Sequence, residues 1–332
     1  MRDFSYIRAA SIESAVAALN SDDGVSLVAG GTDLVPLLKD ELATPRALVD
    51  ISGLPGLDYV EEKDGRLHIG AMTTLSRLAS HPLISERYTA LAQACRLAAT
   101  PQLRNMSTIA GNLLQQPRCW YYRGEHNCWL KGGEICYARN GENELHAILK
   151  NSPGESRCVS VHPSDPAVAL LLFDSSVRIR TSEGETELPL LEFYNVPTPE
   201  RRNGAMLPPG AVITGISLAP ADGGRSIYPK AMPRATWAFA LVSVGIHTRV
   251  SRGRIEDARV ALGGAAPVPV RLPDAEALLV RQEISEVDAR AFAESVAAAA
   301  TPLAKNAYKV ALLKGLLKQA LSQVLSQVLA QD

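Results

Sequence analysis

The chain has 332 residues, 46% of them hydrophobic and 21% charged, with a formal net charge of −1 at pH 7. That length predicts two or three units of roughly 100–150 residues each. A net charge near zero gives no electrostatic pull toward nucleic acid or an anionic membrane, so both drop out as partners, and no apolar run approaches the ~20 residues that span a bilayer.

The N-terminus, Met1-Arg2-Asp3-Phe4-Ser5-Tyr6, holds no apolar h-region and no small-residue cleavage site. This predicts a cytoplasmic protein, periplasmic only if exported with a partner that carries the signal. Ser11 is placed to cap a short helix whose apolar residues Ile12, Val16 and Leu19 fall at helical spacing, and Val25–Val28 reads as a buried strand. Gly30-Gly31-Thr32-Asp33 then forms a turn into a helix over 34–42, and Ala47–Ile51 is the next strand. Strand, glycine turn and helix suit a phosphate, because glycine lets the backbone approach closely and successive N–H groups at a helix start attract an anion. A tight turn that simply needs positive φ explains the glycines equally well. The common dinucleotide and P-loop fingerprints, G-x-G-x-x-G and G-x-x-x-x-G-K-[ST], are missing from the sequence.

A hairpin is expected from 57–61 and 67–71 around Lys63-Asp64-Gly65, followed by helices over 75–83 and 88–99. Thr108-Ile109-Ala110-Gly111-Asn112 is a second small-residue loop, and His162-Pro163-Ser164-Asp165 precedes a helix over 166–173. Asp165 is also a natural N-cap for that helix. Three such loops fit a dinucleotide, which needs contacts to pyrophosphate, ribose and ring from several directions. Strands follow over 176–181, 212–218, 239–250 and 255–262, and a Leu/Ala-rich helix over 304–329 is expected to dock on its own domain.

Four of the five cysteines lie together on a polar stretch without sustained periodicity. Eight residues separate Cys119 from Cys128, seven separate Cys128 from Cys136, and twenty-one separate Cys136 from Cys158. This is not the paired C-x-x-C pattern of structural zinc sites, and four thiolates suit either Zn²⁺ or an Fe–S cluster. Trp120, Tyr121, Tyr122, Trp129 and Tyr137 interleave them, either to shield a cluster from water or to clamp the loop. With little apolar pattern, the loop 117–162 is expected to owe its order to a metal. Cys95 stands apart in an apolar helical stretch and reads as core.

Ala29-Gly30-Gly31-Thr32-Asp33-Leu34, the run Leu103 to Asn112, Ser164-Asp165, Tyr228-Pro229-Lys230-Ala231 and Ala261-Leu262-Gly263-Gly264-Ala265 occur in an order that resembles the FAD-binding medium subunit of the xanthine dehydrogenase and carbon monoxide dehydrogenase family of molybdenum hydroxylases. The cysteines, together with Asn143 to Leu149, look like the [4Fe–4S]-containing branch that includes the aromatic aldehyde oxidoreductase FAD subunit and the 4-hydroxybenzoyl-CoA reductase β-subunit.

The resemblance implies an α+β chain of two α/β FAD-binding subdomains, 1–55 and 56–222, and a C-terminal α+β domain, 223–332, with a small antiparallel sheet and helices. It implies FAD held by Val28, Ala29, Gly30, Gly31, Thr32, Asp33, Leu34, Thr108, Gly111, Asn112, Ser164, Asp165 and Lys230, with Lys230 near the isoalloxazine. It also implies a [4Fe–4S] cluster on Cys119, Cys128, Cys136 and Cys158, and no protein side chain as the redox catalyst. Molybdopterin and [2Fe–2S] centres would sit on a large and a small partner subunit, since the chain lacks the plant-type C-x₄-C-x₂-C spacing and is too short for a molybdenum domain. The implied role is electron transfer from molybdenum to FAD and an external acceptor, as in an aldehyde oxidoreductase. Aromatic acyl-CoA reduction and a flavin-free zinc assembly module are the competing readings.

Overall fold

A computed structural model describes residues 1–152, 154 and 156–329. Positions 153 and 155 of the cysteine loop, and the last three positions of the expected C-terminal domain, lie outside the described residues.

The first layer is a parallel sheet of β1 (Ser5–Arg8), β2 (Val25–Val28) and β3 (Ala47–Asp50), ordered β1-β3-β2. The crossover helix Ile12–Ser21 starts on a capping box in which Ser11 and Ser14 satisfy each other's backbone N–H groups, and it buries Ala15 and Val16. β1 was not expected from sequence. Its four residues are all exposed, so no alternation of apolar and polar side chains marks it.

A second sheet joins β4 (Val60–Lys63), β5 (Arg66–Gly70), β6 (Ser176–Thr181), β7 (Gly184–Pro189) and β8 (Val212–Leu218) in the order β4-β5-β8-β6-β7. Every pairing is antiparallel, so of the two expected α/β units only the first has a parallel layer. β8 is central and all seven of its residues are buried. Helices Leu75–Ser80, Pro82–Arg87, Thr89–Leu97, Ile109–Leu113 and Asp165–Leu170 lie in sequence between β5 and β6. The expected helix over 75–83 breaks at His81, because Pro82 starts a new helix at its N1 position. Cys95 is fully buried in Thr89–Leu97, as a core cysteine should be.

The third sheet is antiparallel: β9 (Arg225–Ile227) and β10 (Lys230–Ala231) pair with β11 (Val242–Ser251), followed by β12 (Arg254–Gly263) and β13 (Val270–Arg271). Helix Tyr308–Leu329 packs on β11 and on helix Ala289–Ala297, burying Leu313, Leu317, Leu321 and Val324 along one stripe. Among the described residues no helix is long and apolar enough to cross a membrane.

The cysteine stretch departs from the expectation that burial cannot order it. It contains a short helix, Trp120–Arg123, and buries Trp129, Ala138, Ala147, Ile148 and Val159. Full burial of one such large side chain stabilises by roughly 2–3 kcal/mol. Arg202 stacks on Trp129 at 5.0 Å and donates to the carbonyls of Trp129 and Gly133. Arg139 donates to the carbonyls of Asn151, Ser156 and Arg157. These contacts come from distant or unpatterned residues, which is why sequence periodicity did not reveal them.

Candidate functional site: a cofactor groove beside a four-cysteine pocket

The loops singled out in the sequence converge. Gly30 sits where a Cβ would lie 1.7 Å from the Met106 carbonyl oxygen, so the glycine turn and the 103–112 segment touch backbone to backbone. Gly31 has φ +69°, in the left-handed region. Both glycines therefore have reasons internal to the protein, beyond any approach of a ligand. Thr32 Oγ1 and Ser107 Oγ share a 2.9 Å hydrogen bond that closes the junction.

Two cavities meet there. One of about 480 Å³ is walled by Ala29, Gly30, Gly31, Thr32, Asp33, Leu34 and Thr108 with Leu207 and Asn203 behind them. The other, about 590 Å³, has Asn112, Asp165, Arg118, His146, Trp237 and Phe239 on its walls. Thr32, Asp33 and Gly111 belong to both, so the groove passes over the glycine turn. Each cavity alone has the size of a small-molecule site, and together they have room for an extended dinucleotide.

Asp33 is engaged by the protein itself: its carboxylate pairs with Arg118 at 2.8 Å and Arg123 at 2.9 Å and accepts from the Gln116 N–H. It ties the cysteine loop to the glycine turn. Ser164, rather than Asp165, caps the helix Asp165–Leu170, and its Oγ donates to Asn112 Oδ1 at 2.6 Å. Asp165 reaches the larger cavity but also receives hydrogen bonds from Lys230 Nζ at 2.8 Å and Tyr228 Oη at 2.7 Å. Burial raises its pKa, and the Lys230 charge offsets part of that. Val28, Ser164 and Lys230 do not line either cavity. Val28 lies in β2 near Gly31, and the Lys230 ammonium, fully buried, sits against Asp165 and the Leu97 carbonyl.

All four clustered thiols line a separate small pocket, closed by Tyr121, Tyr122, Trp129, Tyr137 and Ser160. Among the described residues, the one trio of candidate ligand atoms within 4.8 Å of one another is Asp222, His247 and Asp257. Four thiols enclosed by aromatic rings are a donor set that suits Zn²⁺ or an Fe–S cluster. Cys119 and Ser160 lie on the walls of both this pocket and the larger cavity.

His146 was not singled out from sequence. It is buried, its Nε2 is 3.2 Å from Cys119 Sγ, and its ring meets Trp120 edge-on at 5.9 Å. Burial, aided by the nearby Lys309 charge, pushes its pKa down to about 4, so it is neutral near pH 7. Arg118, over the Phe239 ring at 5.0 Å, was missed as well. His146 lies in the 143–149 stretch that carried the resemblance but was not read as a site residue there, Arg118 lies outside the motifs, and the wall formed by Pro233 to Leu241 reaches the groove only through tertiary packing.

The fold and groove define a flavin-binding oxidoreductase subunit. The family model described as "FAD binding domain in molybdopterin dehydrogenase" matches residues 2–220, and that described as "CO dehydrogenase flavoprotein C-terminal domain" matches residues 227–324. The aldehyde oxidoreductase FAD-binding subunit PaoB of Escherichia coli (strain K12) is 38% identical over 318 residues, covering 95% of this chain and 96% of that one. The glyceraldehyde dehydrogenase medium chain of Sulfolobus acidocaldarius is 25% identical over 300 residues, covering 90% and 89%. In structure, a chain of the carbon monoxide dehydrogenase from Hydrogenophaga pseudoflava superposes with a TM-score of 0.76 over 98% of each chain, at 24% identity, which speaks to the fold. The chain belongs to the FAD-binding medium subunits of the molybdenum hydroxylases, the family of carbon monoxide, xanthine and aldehyde dehydrogenases.

Proposed function

We propose that the chain is the FAD- and [4Fe–4S]-binding electron-transfer subunit of an aldehyde-oxidising molybdenum hydroxylase, working with a large molybdenum-cofactor subunit and a small [2Fe–2S] subunit. The observation that carries this is the common wall: Cys119 and Ser160 face both the flavin-sized cavity and the four-thiol pocket. Identity to the Escherichia coli aldehyde oxidoreductase subunit over nearly the whole chain supports the aldehyde reading over acyl-CoA reduction. The sequence spacing of the cysteines, unlike the paired C-x-x-C of structural zinc sites, favours the cluster over the zinc module. Five free cysteines suit assembly in the reducing cytoplasm.

In this reading Ala29, Gly30, Gly31, Thr32, Asp33, Leu34, Thr108 and Gly111 hold the pyrophosphate half of FAD. Asn112, Ser164 and Asp165 order the wall of the cavity for the ring, while Val28 and Lys230 act from behind it, Lys230 by fixing Asp165. Bound flavin would supply exchange between two-electron and one-electron chemistry, delivering electrons to an external acceptor. The aromatic rings around the thiols keep water from the cluster.

Coexpression with the two partner subunits tests this. The chain should copurify with both, and an aldehyde added without oxygen should bleach its flavin absorbance. A chain that purifies as a lone, colourless species while aldehyde turnover proceeds without it contradicts the proposal.

A further inference from the structure

We propose that His146 is a positioning residue for the cluster, donating its Nε2–H to the Cys119 sulfur and so setting the cluster's potential at the wall it shares with the flavin cavity. This rests on the reading of the four thiols as cluster ligands.

A metal-bound thiolate sulfur only accepts, so an imidazole nitrogen in contact with it must carry the N–H whatever the charge of the ring. Nε2 lies 3.2 Å from Cys119 Sγ, within reach for a sulfur acceptor. Nδ1 is buried and has no hydrogen-bond partner among the described residues. A proton on Nδ1 would leave a buried donor unmade and face Nε2 lone pair to sulfur lone pair, so the Nε2–H tautomer is the one the surroundings favour.

The ring is also held in place from its own backbone. The His146 carbonyl accepts from Lys309 Nζ at 2.8 Å and Asn306 Nδ2 at 3.0 Å, and its N–H donates to the Asn143 carbonyl at 3.1 Å. Trp120 packs on the ring. These anchors lie in the C-terminal helix region and in the 143–149 segment, so the donor is fixed before any cluster is present. Reduction adds negative charge to a cluster and its sulfurs, and a fixed N–H pointed at one sulfur stabilises that form. Among the four ligands the effect falls on Cys119, which also faces the flavin cavity.

The test uses the coexpressed holo-complex, with iron content and an EPR-monitored redox titration of wild type, His146→Leu and His146→Gln. Wild type should hold about four irons per chain. Their lack would overturn the cluster reading itself, whatever the variants do. With iron retained, His146→Leu should disfavour the reduced cluster by roughly tenfold, equivalent to about 59 mV for one electron. His146→Gln, which keeps an N–H donor, should recover most of that. Equal potentials in all three proteins would overturn the proposal while leaving the cluster reading intact. A second measurement covers the case in which His146→Leu fails to assemble. Electron–nuclear double resonance of the reduced wild-type cluster, with ¹⁵N-histidine, should show a histidine nitrogen coupling and a solvent-exchangeable proton coupling, and the absence of both would equally overturn it.

Discussion

At the scale of single residues, contacts within the protein decide what a substitution does. Gly30→Ala would set a Cβ against the Met106 carbonyl oxygen and force the two cofactor loops apart. We expect a loss of at least about 2 kcal/mol in stability, together with loss of retained flavin, measured by urea unfolding and by flavin released on denaturation. Gly31→Ala meets only Val35 and Val28 side chains but must hold φ +69°, so its cost should be smaller, roughly 1–2 kcal/mol. A Gly30→Ala protein as stable as wild type would show that the close approach of the loops is not needed. Gly30 and Gly31 were legible in the sequence because a close backbone approach and a positive φ demand glycine, and Thr108 because its hydroxyl caps the helix that begins at Ile109. The site positions of Arg118 and His146 were not, because neither an arginine beside a cysteine nor a histidine within the 143–149 stretch shows what it will touch until the chain folds.

At the scale of elements, legibility followed burial. β8 and β11, with apolar runs, fell close to expectation, and the 308–329 helix showed its buried stripe. β1 and β7 are short and mostly solvent-facing, so their sequences, Ser-Tyr-Ile-Arg and Gly-Glu-Thr-Glu-Leu-Pro, lack the alternation that marks a half-buried strand. The same 308–329 helix carries a testable charge. Lys309 is fully buried and donates to the Leu145, His146 and Gly264 carbonyls with no carboxylate among its bonded partners. Burial lowers its pKa to about 7 from an ordinary value near 10.5. Between these values the unfolded chain binds more protons than the folded one, so this group makes stability rise with pH from about 7 to about 10, and its full cost applies below 7. Denaturant unfolding across that range should show a positive slope that Lys309→Met reduces. An unchanged slope in the variant would show that the ammonium is not desolvated as its surroundings require.

At the scale of the whole molecule, strands of the first two sheets and the segment 233–241 before β11 wall one groove, and the apolar residues left at its mouth, Trp237 and Phe239 with Trp120 and Leu145, remain exposed. An interface with partner subunits would cover such a rim. Native size-exclusion chromatography should accordingly find the chain in a larger heteromeric species, and a chain-sized species with full aldehyde turnover would contradict the subunit role. The sequence read as a whole identified the family through the order of its motifs. The mutual placement of groove and cysteine pocket was beyond it, because it depends on tertiary contacts, such as those of Arg118 and Arg123 with Asp33, that carry no local pattern.

On the proposed reading the cavity and the thiol pocket are two redox sites joined at Cys119. Metal and flavin analysis of the purified complex, with EPR of the reduced protein, probes both at once. Two such sites should give one FAD and about four irons per chain with a [4Fe–4S] signal, most of the iron lost in Cys128→Ser or Cys136→Ser with FAD retained, and iron unaffected in Cys95→Ser. One zinc and no iron, or iron that survives both Cys128→Ser and Cys136→Ser, would contradict it.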